Sequence, residues 1–194
     1  LVIRGRGLRG DVTQLRIGEI EVTPASEDVG YKEITLLLSV PPFPAGSLRA
    51  GVQGIQVVHP MMMGFPLTPH RGVESNAAAF VLRPTVTDAD ATDATEVTVT
   101  FNPEVGKAQR VVLLLNEFEP PSDRAARAYS FNAPRDNGIE DEDEDATAAI
   151  TFAIIGVEPG DYLMRVRVDG AESPLEVDPD PDNPMYIGPT VTIL

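Results

Sequence analysis

Pro159-Gly160-Asp161-Tyr162-Leu163-Met164-Arg165-Val166-Arg167-Val168-Asp169-Gly170 carries a period of two. Tyr162, Met164, Val166 and Val168 fall on one side, with Arg165, Arg167 and Asp169 on the other. A strand with one face on a core and one in water reads this way. Asp169-Gly170 then supplies the left-handed backbone of a two-residue hairpin turn. The same alternation recurs at Thr95–Phe101, where Val97, Val99 and Phe101 oppose Glu96, Thr98 and Thr100. It recurs again at Ile150, Phe152 and Ile154, with Thr151 and Ala153 between them. In the first half Leu15 and Ile17 alternate, and Ile20 and Val22 resume in opposite phase across Gly18, the pattern expected of a β-bulge. Ile34–Val40, Gly51–Val58 and Ala77–Leu82 complete that set. Asp123–Tyr129 reads as a helix of about one turn.

About eleven short strands separated by Gly/Pro turns, without helical crossovers, predict an all-β chain. Tyr162, directly after Pro159-Gly160-Asp161, is placed to turn its hydroxyl back onto the preceding loop. That is the tyrosine corner of immunoglobulin-like folds. The expectation is two tandem immunoglobulin-like β-sandwich domains, residues 1–83 and 84–194. Phe80–Val86 would run from the last strand of one into the first of the next, with Pro84 stiffening the connection.

Charge marks the same boundary. The 194 residues carry a formal net charge of −15. Residues 1–83 hold 8 Lys and Arg against 7 Asp and Glu, and residues 84–194 hold 7 against 23. The acidity therefore belongs wholly to the second half. Its densest piece, Glu140–Asp145, is six like charges that repel one another and resist burial, which predicts a solvated loop. An acidic chain lacks the Lys and Arg that neutralise phosphates, which argues against a nucleic-acid partner. The hydrophobic fraction of 42% suffices for a core. The absence of cysteine excludes disulfides, Cys-ligated metal sites and thiol nucleophiles. No run of eighteen apolar residues is present to insert as a membrane helix. The chain starts at Leu1 rather than Met without a signal-peptide pattern, and reads as a piece of a longer chain.

The inventory for catalysis is thin, and the expectation is a protein that is not an enzyme. His59, His70 and Glu74 can be sketched as a two-His-one-carboxylate zinc site. Their spacing fits no ligand signature, and His59 before Pro60 reads as a strand exit, with His70 in a Pro-rich loop. None of the seven serines sits in a Gly-x-Ser-x-Gly elbow. Gly5, Gly7 and Gly10 lead to Asp11-Val12-Thr13 rather than to a phosphate-binding helix. Asp88, Asp90 and Asp93, and separately Asp178, Asp180 and Asp182, offer oxygens for calcium but lack the Gly turn and closing Glu of a calcium loop. No metal and no cofactor is expected. Arg71 and Glu74 are placed for a local ion pair, and Asn76 for capping the loop backbone before Ala77.

Met61-Met62-Met63-Gly64-Phe65-Pro66 is the unusual segment. Met61, Met62, Met63 and Phe65 form either a pliable contact for a partner or a plug for the open end of the sandwich. Exposure of Met62 and Phe65 separates the two.

Five strings carry a family resemblance: Gly51–Pro60 with Pro69–Asn76 and Phe80–Pro84, and then Pro159–Leu163 with Arg165–Leu175. They resemble the C-terminal part of the cap, or tail-terminator, proteins of phage-tail-like contractile injection systems. The resemblance spans nearly the whole chain except Asp123–Asp145. It implies domains of the IPT/TIG kind and a structural role without catalytic residues. It also implies assembly in the cytoplasm, with other particle subunits at the tube and sheath end and copies of itself in a ring as partners. The tube-binding N-terminal domain of that family is absent from this sequence. A surface adhesin or carbohydrate-binding β-sandwich pair is the alternative. It is weakened by the lack of Trp and by having only Tyr31, Tyr129, Tyr162 and Tyr186 for aromatic platforms.

Overall fold

The structure, a computed structural model, describes residues 1–39, 42–44, 46–180, 182 and 184–194, with the side chains of Arg71 and Thr92 outside the description. The chain is all-β and built from antiparallel sheets. Among the described residues there is no α-helix, and two short 3-10 turns occupy Ser26–Asp28 and Arg135–Gly138. The chain divides into two compact units, residues 1–48 with 53–80, and residues 49–52 with 81–194.

In the first unit, β1 (Val2–Arg4) pairs with β4 (Glu33–Thr35) as a two-stranded ribbon. β2 (Gln14–Ile17), β3 (Ile20–Val22), β5 (Gly51–Met63), β6 (Thr68–Glu74) and β7 (Ala78–Leu82) form a larger sheet in the order β3-β2-β5-β6, with β7 also on β5. The phase change across Gly18 is a hairpin and not a bulge. Leu15 faces Val22 and Ile17 faces Ile20 across a two-residue Gly18-Glu19 turn. Gly18 sits at φ +58°, the backbone such a turn requires. Leu15, Ile17, Ile55 and Val57 meet on its buried face. The third strand of the sequence reading is shorter than expected, ending at Thr35, and Val40 lies outside the described residues.

In the second unit, β8 (Thr85–Asp93), β9 (Glu96–Gly106) and β12 (Ala146–Ala153) form one sheet in the order β12-β9-β8. β10 (Val111–Glu117), β11 (Ala128–Asn132), β13 (Gly160–Val168), β14 (Ala171–Glu172) and β17 (Thr190–Ile193) form the other, in the order β11-β10-β13-β14 with β17 also on β13. β15 (Glu176–Val177) and β16 (Tyr186–Gly188) make a small ribbon. The alternating residues of both sheets enter one buried cluster, Val97, Val99, Phe101, Ile150 and Phe152 from the first and Leu113, Leu115, Met164, Val166 and Val168 from the second. Ala50 joins the same cluster.

Tyr162 is fully buried, and its hydroxyl donates to the Glu158 carbonyl at 2.6 Å. Burial pushes the phenol above its usual range, with Tyr129 adding to the shift. Tyr129 packs edge-on at 5.8 Å and accepts from the Glu158 N–H at 3.5 Å. The Asp169-Gly170 turn forms as expected, closing Val168 on Ala171 with φ +43° and +88°.

No helix forms at Asp123–Tyr129. Glu117 organises that loop instead. Its carboxylate accepts from the Arg124 guanidinium and, at 2.9 Å, from the Arg127 backbone N–H. These donors favour an irregular loop over helical hydrogen bonds, and β11 starts at Ala128. The Arg124 hydrogen bond foremost, and then the Arg127 N–H, hold the Glu117 carboxyl at about 2.

Two outcomes follow for urea and thermal unfolding of the second unit. Tyr162→Phe is expected to cost about 1 kcal/mol, a lost buried hydrogen bond with packing kept. Phe152→Ala is expected to cost about 3–5 kcal/mol, a cavity in the core. Because the Glu117 pKa is depressed on folding, its contribution is present above the ordinary carboxylate value of 4.5 and is lost as pH falls toward about 2. Glu117→Gln should lower the melting temperature at pH 7 and flatten its fall over that window.

Candidate functional site, an apolar hairpin tip

The strand expected to stop at Val58 continues for five more residues, through His59 and Pro60 to Met63. Met61, Met62 and Met63 are therefore the end of a long strand, and the turn is Gly64–Leu67. Across it Met63 faces Thr68, Met62 faces Pro69 and Met61 faces His70. Gly64 takes φ +89°, and the Thr68 hydroxyl donates to the Met63 carbonyl at 3.1 Å.

Pro60 is accommodated by a bulge. His59 faces Val73 and Met61 faces His70, so two residues of β6, Arg71 and Gly72, oppose Pro60 alone. Proline has no N–H for the ladder, and a bulge is where a strand tolerates it. The register brings the two backbones together at Gly72. A Cβ there would run into the His59 carbonyl and lie 2.9 Å from the Met61 nitrogen. Below the bulge Ser75 closes the ladder, its hydroxyl accepting from the Val57 N–H at 3.0 Å while its own N–H donates to the Val57 carbonyl at 2.9 Å.

Every residue from Met61 to His70 is exposed. Met62 is 42% and Phe65 103% exposed, with Met61, Met63 and Leu67 also open to solvent. Since cross-strand partners share a face, Met61 and Met63 present one side of the ribbon and Met62 with Pro69 the other. The ten residues 60–69 contain no charged side chain. Leu67 and Gly72 are the two residues of the hairpin whose roles the sequence pattern does not assign. The apolar run resuming after Phe65-Pro66 was the signal for Leu67, but Gly72 acquires meaning only from its partner strand.

The other candidates are dispersed. His59 is held by two backbone carbonyls, its Nε2 3.0 Å from Gly7 O and its Nδ1 3.2 Å from Val12 O. His70 is exposed on β6 beside Thr68, and Glu74 lies 3.9 Å from Arg16. His70, Glu74 and Arg16 line an open concavity of about 430 Å3, without His59. Asp93 accepts from the Thr95 N–H at 2.7 Å and hydroxyl at 2.6 Å, which builds the β8–β9 turn, and the Thr95 hydroxyl foremost lowers its pKa. Asp88 and Asp90 are exposed along β8. Asp178 and Asp180 each accept the N–H two residues on, from Asp180 and Asp182, in a chain of local turns. Among the described residues no group of three His, Asp or Glu is arranged to hold a metal ion. Asn76 makes a long contact of 3.4 Å from its side-chain amide to the Ala77 carbonyl. The Arg71 side chain, half of the expected ion pair, lies outside the described residues. Glu140–Asp145 is an exposed loop.

Residues 78–192 match the family described as a domain of unknown function, DUF8756. The chain belongs to that family. No curated protein matches it. The DUF8756 match takes in the second unit from Val81 to Thr192, with the whole of β7. The hairpin of β5 and β6 lies on the N-terminal side of the DUF8756 match.

Gly72→Ala should cost about 1–3 kcal/mol through backbone crowding at the bulge. Hydrogen exchange should show faster exchange in β5 and β6 and unchanged protection in β10 and β13.

Proposed function

We propose that the chain is a non-catalytic assembly module of two immunoglobulin-like units whose Met-rich hairpin seats on a neighbouring subunit. The carrying observation is that Met61, Met62, Met63, Phe65 and Leu67 stand exposed on an uncharged tip. A plug for the end of a sandwich would be buried. Exposed apolar patches of this kind mark interaction sites, and Met adapts its shape to a partner surface.

The strand order supports the immunoglobulin-like reading of the second unit. Counting seven strands from β8, the first, second and fifth share one sheet, and the third, fourth, sixth and last share the other. Immunoglobulin-like and fibronectin-type sandwiches distribute strands in this manner, and the Tyr162 hydroxyl bond to the preceding loop matches the tyrosine corner of that class. The first unit is read as the IPT/TIG-like partner on sequence resemblance.

Magnitudes favour a repeated contact over a lone pair. Burying each tip side chain is worth about 1.5–3 kcal/mol, so five give roughly 7–15 kcal/mol. Association costs roughly 4–15 kcal/mol, leaving a single hairpin a modest anchor. Copies arranged in a ring gain strength by acting together. The particle is named by resemblance, as the cap of a contractile injection system, with the acidic second unit facing water.

Met62→Glu with Phe65→Asp, both at exposed positions, should leave the melting curve of the purified chain unchanged. Incorporated copies would be counted by quantitative mass spectrometry of sedimented particles. Loss of the variant from particles that retain wild-type chain is expected; equal incorporation would overturn the hairpin as the contact.

A further inference from the structure

The acidic second unit leaves its unused positive charge in one place. Of the nine Lys and Arg in the second unit, seven are engaged within it, Arg49 with Glu104 and Asp145 and Arg83 with the Glu172 carbonyl among them. Arg124 and Arg127 face Glu117, Arg135 faces Asp136, Arg165 holds Glu172 and Asn116, and Lys107 donates to the Asp141 carbonyl. The guanidinium groups of Arg110 and Arg167 have no ion-pair or hydrogen-bond partner among the described residues. Both line one open concavity of about 480 Å3. Val112 lies opposite Arg167 in the ladder, and Arg110 directly precedes β10, two residues before Val112. The carboxylates lining it have donors of their own. Asp169 accepts from the Gln109 side chain at 2.8 Å and the Arg110 backbone N–H at 2.9 Å, and Glu172 accepts from Arg165.

The complementary charge flanks the same turn. Asn137 donates to the carbonyls of Gly106 and Gln109 at 2.9 and 3.0 Å, which fixes the chain just before the acidic run. The Lys107 N–H donates to the Asp145 carbonyl at 2.8 Å, which fixes its end. Glu140, Glu142 and Glu144 are exposed between these two anchors. The turn Gly106–Gln109 thus carries an acidic loop on one side and leads directly into Arg110 on the other.

We infer that the Arg110–Arg167 concavity receives the Glu140–Asp145 run of a second copy of the chain. Because both features flank one turn, two copies exchange them reciprocally about a two-fold axis, the self-complementary arrangement of an isologous contact. Arginine suits the task, since its planar fork meets a carboxylate with two parallel hydrogen bonds. Each copy carries −15, so whole-body repulsion opposes the contact at low ionic strength. At about 0.15 M salt the screening length is ~8 Å, which quiets that repulsion while direct pairs persist; at about 1 M it is ~3 Å and the pairs weaken too. The inference rests on the assembly reading in taking other copies as neighbours, and it concerns the second unit instead of the hairpin.

Sedimentation velocity on the full chain tests it. A dimer at about 0.15 M salt that dissociates at about 1 M is expected. Arg110→Glu with Arg167→Glu should weaken the dimer about tenfold or more, and so should Glu140→Lys with Glu142→Lys and Glu144→Lys. Mixing the two variants should restore a heterodimer, since each then offers the charge the other needs. All substituted positions are exposed, so melting curves of both variants should match the wild type. A wild-type chain monomeric at 0.15 M, a dimer untouched by either variant, or a mixture that stays monomeric would each overturn the inference. The hairpin variants should leave this dimer intact, so failure of one proposal is told apart from failure of the other.

Discussion

The second unit depends on a phenol that has to be satisfied where water does not reach. Tyr162 is the largest of the fully buried side chains, and its hydroxyl has the Glu158 carbonyl as acceptor. An unpaired hydroxyl in that core would cost more than the bond contributes, so the connection between β12 and β13 is held to the conformation that supplies the carbonyl. That connection is where the chain leaves one sheet for the other. β13 is then fixed in the centre of its sheet, with β10 on one side and β14 and β17 on the other. Tyr129 shares the constraint from β11, contacting both the Tyr162 ring and the Glu158 N–H.

The first unit obeys a different constraint, set by a residue that cannot donate. Pro60 interrupts the ladder of β5, and the extra residue on β6 lets the ribbon continue beyond it. Only a residue without a side chain fits at Gly72. The apolar tip therefore stands on hydrogen-bonded strand as far as Met63 and not on a free loop.

Residues whose role depends on local pattern were legible in the sequence. Val97, Val99 and Phe101, then Ile150, Phe152 and Ile154, then the β13 series all alternate, because one face of each strand is in the core. Asp169-Gly170 and Tyr162 were legible because a turn and a corner have fixed chemistry at fixed offsets. The phase change at Gly18 is ambiguous in the sequence because a two-residue turn and a bulge both invert which side is apolar, and only the pairing of Ile17 with Ile20 distinguishes them. Pro60 resembles a strand end in the sequence because the relief it receives comes from Gly72, twelve residues away. The Asp123–Tyr129 segment hides its loop for a similar reason, since the Glu117 carboxylate that organises it precedes the segment. The unpaired state of Arg110 and Arg167 has no signature in the sequence at all.

Ala50 has a consequence for how the chain can be divided. It is fully buried in the core of the second unit, and the Gln109 side chain donates to its carbonyl at 2.7 Å, although residues 1–48 and 53–80 belong to the first unit. The DUF8756 match begins at residue 78 and leaves Ala50 out. The matched stretch is thus short of the stretch that packs, lacking Ile193 just past its end and, far ahead of it, Ala50. A gene fragment cut at the family boundary would encode a core with missing pieces, and on a ribosome Ala50 emerges long before the strands that close over it.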